Sequence, residues 1–77
     1  MPVLVRLRHC VIAMYFDDHN PPHFHVLAND GREAQVRLGT LAVLKGDAGR
    51  RAMGEALEWA RDNATFLEET WNEFNRG

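Results

Sequence analysis

The hydrophobic period changes once along this chain, and that change decides the class of fold. From Val3 to Leu44 the apolar residues come in short alternating runs broken by turn residues. From Ala48 onward they recur every third or fourth position. A strand turns alternate side chains to one face, whereas a helix turns a stripe with a period of about 3.6. The order is therefore strands first, helices second. No linker, repeat or low-complexity segment separates the halves. They read as a single α+β domain over residues 1–77, an antiparallel sheet of four to five strands (residues about 3–44) with two C-terminal helices packed on one face. At 77 residues, 45% of them apolar, such a chain buries one modest core and has no room for a cofactor domain.

The strands can be placed in register. Val3-Leu4-Val5 with Leu7 reads as the first, Cys10 to Phe16 as the second. Asp17 to Pro22 breaks the ladder, because proline lacks the N–H a ladder needs. His23–Ala28 and Arg32–Leu38 flank Asn29-Asp30-Gly31, and Leu41–Leu44 is a short last strand before Lys45-Gly46. A three-residue loop with Gly31 in the left-handed region pairs Phe24 with Val36 and Val26 with Ala34. Phe24, Val26, Ala28, Ala34, Val36 and Leu38 then share one face, whereas a two-residue loop would divide them. By the same logic Phe16 pairs with Phe24 and Met14 with Val26. The opposite, exposed face then carries Tyr15, His25 and Gln35 in one row and Asp17, His23 and Arg37 in the next.

Asp47 is a good N-cap for the segment that follows. Ala48, Ala52, Met53, Ala56, Leu57 and Ala60 form one helical stripe, with Trp59 at its edge. Phe66, Leu67, Thr70, Trp71 and Phe74 form another. The spacing predicts helices near 48–62 and 64–75, with Asn63 able to cap the second. Glu55, Glu58, Glu68, Glu69 and Glu73 read as a solvated helical face.

Several function classes are disfavoured early. One cysteine, Cys10, excludes an internal disulfide and any multi-cysteine zinc site, and makes a reducing cytoplasm the expected compartment. No apolar run approaches the roughly 20 residues that span a bilayer, and no signal-peptide layout is present, so no membrane partner is expected. The net charge of −2 gives no global nucleic-acid signal. The charge is uneven. Residues 1–51 carry seven Lys/Arg against five Asp/Glu, and residues 52–77 carry two against six.

The chemistry concentrates in Met14-Tyr15-Phe16-Asp17-Asp18-His19-Asn20-Pro21-Pro22-His23-Phe24-His25-Val26. Three readings of it stand. His23 and His25, two apart on a strand, point the same way about 6–7 Å apart at Cα. With His19 folding back from the loop and Asp17, Glu33 or water completing the shell, they would hold a divalent transition metal such as zinc. Alternatively Tyr15, His23, His25 and Arg37 could work as acid, base and charge clamp on a phosphodiester. Or the histidines are loop pillars, tied to backbone carbonyls and oriented by Asp17 or Asp18.

This segment closely resembles the signature of the DUF4160 family, small bacterial and phage-associated proteins. The resemblance extends to Met1-Pro2, Gly46-Asp47, Arg51, Leu57-Glu58-Trp59-Ala60 and Trp71. Members often carry Leu-Pro where Ala48-Gly49 stands here. The resemblance nominates Asp18, His19, Pro21, Pro22, His23 and His25 as the functional patch, without assigning them a reaction. It implies a two-gene toxin–antitoxin-like or mobile-element module in which this chain is the interaction component, partnered by a small DUF2442-like protein encoded nearby. The alternative is a small ribonuclease-like or metal-dependent hydrolase using His23 and His25. RNA is a further expected partner, DNA a less favoured one, and a homodimer through a free sheet edge is compatible with so small a chain.

Overall fold

A computed structural model describes residues 2–76. Five strands, β1 (Val3–Arg6), β2 (Cys10–Ala13), β3 (His23–Ala28), β4 (Glu33–Arg37) and β5 (Val43–Gly46), precede two helices, α1 (Arg50–Asp62) and α2 (Ala64–Phe74). The strands form one antiparallel meander in the order β1-β2-β3-β4-β5. The expected α+β architecture, with the helices after the sheet, is what the chain adopts.

The β3–β4 hairpin closes as its loop chemistry requires. Gly31 sits at φ +94 and donates its N–H to Ala28 O at 3.0 Å, while Ala28 N–H reaches Arg32 O at 2.8 Å. Phe24 faces Val36 and Val26 faces Ala34. The β2–β3 register differs from expectation by two residues. Ile12, not Met14, pairs with Val26, and Ala13, not Tyr15, pairs with His25. The strand stops at Ala13, and Asp17 turns through φ +55 with its N–H bonded to Phe74 O at 3.2 Å. Phe16 therefore never reaches Phe24 and is 61% exposed. A shift of two leaves every side chain on its original face, which is why Ile12 and Met14 are still buried.

The core is one layer between sheet and helices. Cys10, Ile12, Met14, Phe24, Val26, Ala34 and Val36 meet Ala52, Ala56 and Ala60 from α1 and Leu67 and Trp71 from α2. Alanine at every fourth position gives α1 a smooth face, so the helix packs close to the strands. The start of α1 differs from expectation. Gly49 is its N-cap, and Asp47 instead accepts the Gly49 N–H at 2.8 Å. At the junction Asn63 precedes α2 and its carbonyl accepts the Leu67 N–H, but its side-chain amide turns back to Trp59 O at 2.8 Å and finishes α1. Glu55 is not simply solvated. Its carboxylate accepts the backbone N–H groups of His9 at 2.8 Å and Arg8 at 3.1 Å, tying the β1–β2 turn to α1.

No helix among the described residues is long and apolar enough to cross a membrane.

Candidate metal centre

Alternation along β3 sends His23 and His25 to the face opposite Phe24 and Val26. The open face expected from the strand pattern is instead covered. The loop between β2 and β3 folds back over it, and His23 and His25 are only 1% and 5% exposed. Tyr15 presents an edge-on contact to His25, with centroids 4.4 Å apart at 82°. Trp71 reaches the His23 ring from α2 at 5.4 Å.

Asp18 brings the two imidazoles together. Its Oδ2 lies 2.9 Å from His23 Nε2 and 3.3 Å from His25 Nε2. The other ring nitrogens are already committed. His23 Nδ1–H donates to Pro21 O at 2.8 Å, and His25 Nδ1–H donates to Glu33 Oε2 at 2.9 Å. Both partners are acceptors, so each Nδ1 is a proton site; His25 also faces the Asp18 carboxylate through Nε2. With neutral rings protonated at Nδ1, both Nε2 lone pairs would converge on a carboxylate oxygen, itself rich in lone pairs; a proton on His25 Nε2 gives instead the 3.3 Å hydrogen bond to Asp18. The His23 contact is short but off the line of a hydrogen bond, and His23 Nε2 is buried without a hydrogen-bond partner. Such an arrangement calls for a positive charge in the middle, either a second proton on a ring or a metal cation.

The spacing suits a metal. Ligands about 2.0–2.1 Å from a tetrahedral zinc lie about 3.3 Å from one another. Among the described residues, Asp18, His23 and His25 form a group whose candidate ligand atoms all lie within 4.8 Å of each other. The Pro21 carbonyl and the Glu33 carboxylate are the outer partners that orient metal-bound imidazoles and keep Nε2 free. Burial by itself would push the Asp18 carboxyl up. The hydrogen bond with His25, the backbone N–H of His19 and the nearby charges of His23 and His19 outweigh it and hold that carboxyl below its ordinary value. Tyr15 is moved the other way, its phenol pushed up by burial and then by the charges of Glu33 and Asp18.

The remaining nominated residues fall around this triad. Asp17 is exposed and held by its bond to α2, while its neighbour Asp18 carries the carboxylate to the histidines. His19 has a 79% exposed side chain, with Nδ1 3.1 Å from Asp18 Oδ1, so it contacts the outer oxygen of the bridging carboxylate. Pro22 offers its carbonyl to Leu38 N–H at 2.9 Å. Arg37 is paired with His23 across the hairpin and exposed, beside a hollow of about 180 Å³ that Trp71 also lines. Glu33, expected as one way to complete a metal's shell, sits instead one step behind the histidines, with Oε2 2.9 Å from His25 Nδ1. The register that placed it on the histidine face was the available signal.

Comparison with curated proteins and with solved structures returns no match. The model of one family, described as a domain of unknown function, matches residues 10–72, a span that runs from the start of β2 into α2 and includes every residue of the triad. By that match the chain belongs to the DUF4160 family.

Proposed function

We propose that this chain is a small metal-binding interaction module, in which Asp18, His23 and His25 hold one divalent transition-metal ion of the zinc class. The observation that carries this reading is the convergence of two buried Nε2 atoms on Asp18 Oδ2 while both Nδ1 atoms are spoken for. An ion there would link the β2–β3 loop to β3 and fix the face that the loop presents. The triad supplies two nitrogens and one oxygen, a donor set that zinc, iron(II) and nickel(II) all accept. Its partner would be the small DUF2442-like protein of a two-gene, toxin–antitoxin-like or mobile-element module in the cytoplasm.

Burial favours this role over turnover. A ribonuclease-like or hydrolytic reaction with Tyr15, His23, His25 and Arg37 requires substrate to reach imidazoles that are at most 7% exposed. It also requires Arg37 to approach them from the exposed side of β4.

The test is a zinc titration followed through the histidine ring signals in NMR. The His23 and His25 rings should shift together and saturate at one metal per chain, and Asp18→Asn should weaken binding at least about tenfold. Rings unmoved by micromolar zinc, iron(II) and nickel(II) alike would end the metal reading.

A further inference from the structure

We propose that the outer face of α2, with β1 beside it, is a docking groove for a basic, amphipathic protein segment. This inference is independent of the metal reading, because none of the groove residues is a donor in the triad.

Leu67 and Trp71 turn α2 toward the core. Phe66, Glu69, Thr70, Glu73 and Phe74 recur at three- and four-residue spacing and make a second stripe on the same helix. With Leu4 from β1 they line a groove of about 400 Å³. Its apolar floor is left open. Phe66 is 45% exposed. Phe74 is stacked at 4.2 Å by Phe16, itself 61% exposed, so the apolar surface continues onto the β2–β3 loop. Trp59 steadies Phe66 from α1, edge to face at 6.2 Å. One exposed aromatic is ordinary, but a run of them around one hollow marks a binding surface.

The charge around the groove selects its occupant. Glu69 and Glu73 stand on its wall, and α2 contains no lysine or arginine. The carbonyl end of the helix adds partial negative charge at the Phe74 end. An anionic lipid surface or a nucleic acid would be repelled. A segment with one or two large apolar side chains flanked by Lys or Arg meets both demands: anchors for the phenylalanine floor and cations for the glutamate wall.

The probe is a synthetic peptide of about 14 residues in which Leu follows a helical stripe and Lys fills the other positions. A Lys/Ser peptide and a Glu/Leu peptide serve as controls. Amide NMR shifts should map to Leu4, Phe66, Thr70 and Phe74. Affinity should fall at least about tenfold in Glu69→Lys/Glu73→Lys and in Phe66→Ser, and should fall as salt is raised. All three positions are exposed, so a circular dichroism melt confirms that each variant is folded. Shifts elsewhere, equal affinity in either variant, equally tight binding of a control peptide, or no binding at millimolar peptide would each overturn the proposal. So would a peptide-resistant homodimer through this face, which would assign the groove to a second copy of the chain.

Discussion

Three glycine-to-alanine substitutions should separate backbone strain from steric overlap in this fold. Gly31 lies at φ +94 with open space around the position of a Cβ. Alanine there meets only the left-handed penalty, about 1–2 kcal/mol, partly offset by a less flexible unfolded chain. Gly46 lies at φ +76, and its Cβ would overlap the Glu33 carbonyl oxygen and lie 3.3 Å from Ala34 Cα. Those are backbone atoms of a paired strand and cannot swing away. The strain is therefore joined by an overpacking cost of about 1–3 kcal/mol, for a total of about 3 kcal/mol. Gly54, inside α1 with nothing within 4 Å, should gain about 0.5–1 kcal/mol as alanine. Urea unfolding followed by tryptophan fluorescence measures all three. For a domain of this size, Gly46→Ala should lower the melting temperature by roughly 12–24 °C, against roughly 4–8 °C for Gly31→Ala. Because Gly46 pairs with Ala34 beside Glu33, the same variant should loosen the Glu33 contact to His25 and weaken zinc binding. If Gly46→Ala proves as stable as Gly31→Ala, the overlap argument is wrong.

Zinc at about a hundred times its dissociation constant should add about 2.7 kcal/mol of stability, roughly 11–22 °C in the melt, and His25→Ala or a chelator should abolish the gain. The Cys10 thiol is pushed up to about 11, by burial first and then by the charge and hydrogen bond of Glu55, so it should resist thiol reagents at pH 8 until the chain is unfolded. Although partial burial pushes the Glu55 carboxyl up, the backbone N–H groups of His9 and Arg8 and the Cys10 contact hold it below its ordinary 4.5. A depressed folded value means stability that is present above pH 4.5 and lost as pH falls through the folded value. The gap in urea midpoint between the native chain and Glu55→Gln should accordingly be widest near neutral pH and shrink as the pH is lowered into the acid range.

What the sequence could disclose followed from local rules. The Asn29-Asp30-Gly31 loop fixes the β3–β4 register, and a period of two fixes which face each residue takes. Neither rule distinguishes a register from one displaced by two, so Phe16 was assigned to the core when β2 in fact ends at Ala13. The choice between Asp17 and Asp18 was equally hidden. It depends on the left-handed turn at Asp17 and its bond to Phe74, a contact made between residues far apart in sequence. That a polar loop would cover the histidine face was also beyond pattern reading, because the covering groups are themselves polar. At the helix start, Asp47 has the chemistry of a cap, but the chain runs two residues further before helical geometry begins.

The meander has a consequence for the order of events during synthesis. Asp18, His23 and His25 lie within eight consecutive positions, and Glu33, the outermost partner of the triad, belongs to the very next strand. Closing so short a stretch costs little chain entropy, and pairing between sequential strands is kinetically fast. The whole donor set thus leaves the ribosome before any residue of either helix. A nascent hairpin able to capture an ion would enter the later stages of folding already cross-linked, with α1 and α2 adding the hydrophobic layer and the Phe74 carbonyl then locking the loop that carries Asp18.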